Sequence, residues 1–271
     1  MFIGTNLLLL LIFIISIPAD RATTRRLTYK LDSDITALVG DNIINYELTR
    51  IDPNGPMSTL EIETEQWVHD CCFIITSQPV LRICLKQENN YPTITAYLRL
   101  RTPLSSIVMT GTGTISTTNS IQSDTLTLEL AGNSKAKVEV DIYSKLDVII
   151  SGTGEIIMTG NVHGNAYVRL TGTGEFDGRR CPMKTVIVDV TGVGTAYVIG
   201  EQAVDVAIGG VGHVYYHGPL RNQRVNGLGS INSLLSIDGK GFKSSTIRNK
   251  ISMNSIILCI FFFDCLFNLF L

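Results

Sequence analysis

The stretch Ile150-Ser-Gly-Thr-Gly-Glu-Ile-Ile-Met-Thr-Gly160 returns as Leu170-Thr-Gly-Thr-Gly-Glu-Phe-Asp-Gly178 and again as Val190-Thr-Gly-Val-Gly-Thr-Ala-Tyr-Val-Ile-Gly200. Its marker, Gly-x-Gly, stands at Gly111 and Gly113, Gly152 and Gly154, Gly172 and Gly174, Gly192 and Gly194, Gly210 and Gly212, and Gly227 and Gly229. A degenerate copy sits at Gly132-Asn133-Ser134. The steps between successive first glycines are 21, 20, 20, 20, 18 and 17 residues. Self-similarity at such a period marks a repeat architecture.

Polarity repeats with the glycines. Four and two residues before each first glycine stand apolar pairs, from Ile107 and Met109 through Val148 and Ile150 to Val206 and Ile208. Four residues after it stand Ile115, Ile156, Phe176, Ala196, Val214 and Ile231. Polar residues such as Asp147, Arg169, Asp189 and Asp205 alternate with them, which is the pattern of a strand with one buried face. Each copy is read as two short strands hinged at a glycine turn. Such a unit cannot bury its apolar face alone, but stacked copies share one core. The fold class expected is all-β: a parallel β-solenoid of about seven coils of about 20 residues, forming a rod about 30 Å long. Gln223 replaces the apolar residue in the last copy, as suits a terminal coil.

This motif resembles the "SGSGD" repeats of the head GIN domain, the putative auto-transporter adhesin family. The entry segment from Leu98 to Gly113 is also similar to that family, and the resemblance runs from about Ile35 to Leu234. It implies a β-solenoid displayed on a cell surface, and it brings no catalytic residues with it. One departure is plain: Glu155 and Glu175 hold the acidic place after the turn, but Thr114, Thr195, His213 and Ser230 hold it elsewhere.

The organisation expected around the repeats is a signal peptide (1–19), a flexible mature N-terminus (20–34), a β segment capping the solenoid (35–100), the repeats (101–235), a linker (236–254) and an apolar C-terminal segment (255–271). The apolar run from Leu7 to Ile17, followed by Ala19 and Asp20, is too short to span a bilayer, which takes about 20 residues. The run from Ser255 to Leu271 follows the small residues Ser244 and Ser245 and a polar spacer, the pattern of a glycosylphosphatidylinositol anchor signal with attachment at Ser244 or Ser245. A single membrane helix is the alternative. It would place Lys243, Arg248 and Lys250 on the exported side, against the positive-inside bias, and would bury Asp264. The address expected is the outer face of the cell membrane.

Composition narrows the chemistry. Charged residues make up 17% of the chain and the net charge is −2, so no basic surface draws in nucleic acid. Outside the apolar tail the cysteines are Cys71, Cys72, Cys84 and Cys181, and in an oxidising compartment a Cys72–Cys84 bridge between neighbouring strands is expected. No C-x-x-C and no His at ligand spacing suggests a metal, and no cofactor is expected. A strand rather than a helix follows every Gly-x-Gly, which excludes a dinucleotide site. The glycines are read as structural, through positive φ or close stacking.

The candidate catalytic cluster is His213, Tyr215 and His217 on one strand face, with Glu175 and Asp177 on nearer coils, but no long insertion builds a groove around it. The reading is therefore a non-catalytic surface protein that contacts an extracellular protein or glycan, with Tyr167, Arg169, Tyr197, Tyr215 and Tyr216 as candidate outward contacts. A polysaccharide-processing β-helix enzyme is the alternative.

Overall fold

The apolar positions flanking each glycine turn all lie in the core of the computed structural model, from Ile107 and Met109 to Val206 and Ile208 before the turns and from Ile115 to Ile231 after them. The structure describes residues 23–31, 34–40, 43–77, 79–86, 90–235 and 243–246. The expected signal peptide and apolar C-terminal segment lie outside the described residues. In chain order the N-terminal part forms β1 (Thr24–Lys30), β2 (Ala37–Gly40), β3 (Asn45–Arg50), β4 (Thr59–Glu65), the short helix α1 (Gln66–Cys71), β5 (Phe73–Ser77), β6 (Val80–Leu85) and β7 (Thr95–Leu100). The repeats follow as β8 (Ser106–Met109), β9 (Thr114–Thr117), β10 (Ile121–Leu130), β11 (Lys135–Ile150), β12 (Glu155–Leu170), β13 (Thr173–Val190), β14 (Val193–Ile208), β15 (Val211–His217), β16 (Leu220–Val225) and β17 (Leu228–Leu235). Strand β18 (Lys243–Thr246) comes last, and all 18 strands belong to one sheet.

The result is an all-β parallel solenoid of about six turns, close to the seven coils expected. Equivalent residues stack in register from coil to coil. Leu128, Val148, Val168, Val188, Val206 and Gln223 form one column before the turn. Ala136, Ile156, Phe176, Ala196, Val214 and Ile231 form another after it. Like residue therefore packs on like, and the core is a continuous apolar ladder. One expectation changes: β11 to β14 each run from one glycine turn to the next as a single bent strand, not two short ones. Bends are accommodated at glycine. Gly160 has φ +106°, and a Cβ at Gly164 would stand 1.8 Å from the Ser144 carbonyl oxygen.

The N-terminal segment enters the solenoid itself. Leu38 of β2 pairs with Leu81 of β6 on one side and Ile107 of β8 on the other. Tyr46 of β3 likewise pairs with Ala96 of β7 and Ile115 of β9. After β1 the chain thus forms an inner rung with β2 and β3, travels out to β4 and β5, and returns through β6 and β7 before passing to the far side of β2 and β3 as β8 and β9. Antiparallel β4 on β7 and β5 on β6 then close this end, and β1 adds to β4. Residues 24–30, expected to be a flexible N-terminus, are this strand β1, held along its full length against β4. At the opposite end β18 pairs antiparallel with β17. Gln223 lies exposed in β16, a strand with no buried residue.

Candidate functional site

Close approach, not φ, explains the turn glycines. The Thr173 N–H donates to the Gly152 carbonyl at 2.9 Å, and Val193, Val211 and Leu228 repeat the bond to Gly172, Gly192 and Gly210. That bond draws each turn onto the one before it. A Cβ on Gly152, Gly172, Gly192 or Gly210 would lie 2.1 Å from the carbonyl oxygen beneath. At Gly227 and Gly132 the distance would be 2.0 Å. Among the described residues the positive-φ glycines are Gly160 and Gly218, outside the Gly-x-Gly turns. The second glycines also leave little room: a Cβ on Gly174 would lie 2.6 Å from the Gly154 oxygen, and one on Gly113 would lie 2.0 Å from the Ile44 oxygen. In the degenerate copy, Ser134 is buried and donates its hydroxyl to the Gly111 carbonyl at 2.8 Å.

Because the turns carry no side chain at these places, a shallow groove of about 480 Å³ crosses the coils, floored by Gly154, Gly174 and Gly194. One wall is the middle residue of each turn, from Asn133 to Val211. The other is the rank Lys135, Glu155, Glu175, Thr195 and His213. Lys135 Nζ is 3.1 Å from Glu155 Oε2. Burial above all raises the Glu175 carboxyl from its usual range; the charges of Glu155 and Asp177 add to this, and Arg179 opposes it.

Beside the groove runs a second ladder. Arg179 grips Asp177 with two hydrogen bonds, Nε to Oδ1 at 2.9 Å and Nη2 to Oδ2 at 2.6 Å, which hold the carboxyl below the usual range. The same guanidinium lies 4.5 Å from the centre of the Tyr197 ring. Tyr197 in turn stacks on Tyr215, with ring centres 4.9 Å apart and planes 13° apart. Three coils therefore present a carboxylate, a guanidinium and two phenols as one connected outward row. The Tyr197 phenol is raised, by burial first and then by Glu175, Tyr215 and Asp177, while Arg179 opposes the shift.

Several predicted residues fall where alternation placed them. Tyr215 and Tyr197 face outward, Arg169 is exposed, and Tyr167 is half-buried with Lys145 Nζ 5.2 Å from its ring centre. Tyr216 is corrected: it is 7% exposed and belongs to the core, since it shares the inward face of β15 with Val214. His213 and His217 share the outward face, as expected, but they engage the last coil. His213 Nδ1 is 2.8 Å from Ser230 Oγ, and His217 Nδ1 is 3.1 Å from the Leu234 carbonyl. They do not gather with Glu175 and Asp177, which lie on β13 with β14 between. Among the described residues no group of three His, Cys, Asp or Glu side chains is placed to hold a metal ion. The guanidinium of Arg179 was missed, yet the ladder had a signal: Asp177, Tyr197 and Tyr215 each stand five residues after the first glycine of their copy.

The cysteines also depart from expectation. No Cys72–Cys84 bridge is seen among the described residues. Helix α1 ends at Cys71 and turns Cys72 into the core, while Cys84 pairs with exposed Ile74 across β5 and β6. Cys181 is buried, and burial pushes its thiol up to about 12. Ser244 and Ser245, the expected attachment residues, lie in β18 opposite Leu234 and Ser233.

Solved structures share this fold. A protein described as a putative adhesin from Bacteroides fragilis NCTC 9343 superposes with a TM-score of 0.67 at 21% identity, over 78% of this chain and 97% of its own. A putative adhesin from Parabacteroides merdae ATCC 43184 gives 0.59 at 20% identity, over 79% and 96%. A protein described as a putative lipid binding protein from Parabacteroides distasonis ATCC 8503 gives 0.59 at 17% identity, over 78% and 97%. At these identities the likeness is one of fold. No curated protein matches the chain. A family model does match, over residues 45–219, so the solenoid with its inserted N-terminal rung and glycine ladder belongs to the family described as "Putative auto-transporter adhesin, head GIN domain".

Proposed function

We propose that this chain is a non-catalytic contact protein, tethered through its C-terminal segment to the outer face of the cell membrane, which binds an extracellular protein or glycan along the outer face of its coils. The observation that carries the reading is the connected row of Arg179, Tyr197 and Tyr215 beside the glycine-floored groove. Aromatic and Arg side chains supply most of the energy of contact surfaces, because they offer large area at low entropic cost. Here they are already held in place by stacking and by Asp177, so less freedom is lost on binding. Family membership supports the same reading.

Cells of a non-adhering line displaying the full chain test it. Their retention under flow on immobilised extracellular matrix and on cell monolayers should exceed that of mock cells. It should fall severalfold for Tyr197→Ser combined with Tyr215→Ser, displayed at equal density. Equal retention of all three would remove the adhesive reading. The alternative of a polysaccharide-processing enzyme draws on one observation, the pairing of Glu155 with Glu175 across adjacent coils and the raised Glu175 carboxyl. Release of reducing ends from polysaccharide, abolished by Glu175→Gln, would favour it.

A further inference from the structure

The middle residue of each turn changes character along the rod. Thr112, Asn133, Thr153 and Thr173 are polar, and then Val193, Val211 and Leu228 follow. All seven are exposed. The three aliphatic ones are 51%, 47% and 73% exposed, and register stacks them on neighbouring coils at the C-terminal end. Charge changes over the last two of these coils. Asp205 is the last acid before Asp238, and residues 206–235 carry Arg221, Arg224, His213 and His217 with no Asp or Glu. Arg221 engages Asp205 and keeps 62% of its side chain exposed, and Arg224 is exposed four residues before Leu228. The chain leaves the solenoid at this same end, where Ser244 pairs opposite Leu234 of the last coil. An apolar row flanked by cations, at the end from which the chain departs, is the composition of a surface that lies in a bilayer interface, with aliphatic groups at the acyl boundary and Arg at headgroup phosphates.

We infer that Val193, Val211 and Leu228, with His213 and Arg224 on the same coils, dock against the lipid bilayer to which the chain is tethered, holding the last coils on the membrane. This rests on the tether proposed above. The occupant is the membrane rather than a second copy, because β18 runs back along the last coil, with Ser244 opposite Leu234 and Thr246 opposite Asn232, and so brings the bilayer to this end whichever form the tether takes. The eight residues 247–254 between β18 and the apolar segment reach at most about 28 Å.

The test uses the full chain in vesicles of phosphatidylcholine and phosphatidylserine, doped with a phosphatidylcholine whose acyl chain carries a diazirine near the headgroup. After flotation and photolysis, lipid adducts are mapped by mass spectrometry. Adducts should concentrate in the peptides bearing Val193, Val211 and Leu228, severalfold over those bearing Thr153 and Thr173, and should fall in Val211→Ser with Leu228→Ser. Flotation of the protein without adducts at these peptides would overturn the docking and leave the tether standing. Failure to float would remove the tether and the docking with it. In the same vesicles, oxidation of a Leu228→Cys variant to a disulfide-linked dimer, with no lipid adducts at these peptides, would reassign the row to self-association and overturn the proposal.

Discussion

A methyl group at Gly172 would stand 2.1 Å from the Gly152 carbonyl oxygen, the same oxygen that accepts the Thr173 N–H from the coil above. Neither backbone can yield without breaking that bond and its equivalents in the stack. Gly172→Ala should therefore destabilise by more than about 3 kcal/mol in urea unfolding, while Thr173→Ala, one residue away and exposed, should stay within about 0.5 kcal/mol. Equal effects would mean that the turns are not held by close approach. Cys181 gives a pH signature. Its folded pKa of about 12 lies above the ordinary 9.0, so its burial contributes stability that is complete below pH 9.0 and is lost as pH rises toward about 12. The urea midpoint should fall across that window, and Cys181→Ala should flatten the fall. These residues differ in legibility. The glycines announced themselves by spacing, but spacing alone left two reasons for them open, and only the carbonyl beneath each Cα decides between them. Tyr216 was assigned to the wrong face because it sits beside Tyr215, although strict alternation from Val214 places it inside.

The elements show where periodicity stops informing. From β8 onward the buried positions four and two before and four after the turns follow from their distance to a glycine, because every coil faces a near copy of itself. Before β8 no such copy exists, and local patterns place strands without ordering them. The β2 and β3 rungs lie between β6–β7 and β8–β9, a long-range arrangement that no local pattern records. Helix α1 is six residues with only Val68 buried, too short to display a period. The groove and the Arg179 row are likewise products of register between coils, so the sequence held their residues without showing their contact. This topology makes an asymmetric prediction. Ending the chain after Ile208 removes outer rungs, and in a nearest-neighbour stack the remainder should stay folded by circular dichroism and resist limited proteolysis. Deleting residues 23–50 extracts inner rungs and should abolish the fold. Survival of that deletion would contradict the inserted order.

For the molecule as a whole, the two ends differ in kind. Antiparallel β4, β5 and β1 cover the N-terminal end, where β1 is an edge strand carrying Arg25, Arg26 and Lys30, and charged edge strands resist pairing with other chains. The C-terminal end carries the cationic, aliphatic coils and the exit of the chain. The row of Arg179, Tyr197 and Tyr215 lies on the outward face of β13, β14 and β15, the last two of which also carry Val193 and Val211. The central claim is that this rod stands on the outer surface of the cell, held by its last coils. It is tested most directly on intact cells expressing the full chain, by labelling with a membrane-impermeant reagent, treating with a phosphatidylinositol-specific phospholipase and sequencing the C-terminus of the released protein by mass spectrometry. The account predicts surface labelling and release of a chain ending at Ser244 or Ser245. Labelled protein that stays on the cell with Leu271 intact would replace the lipid anchor with a membrane helix, and protein that takes no label would contradict the account.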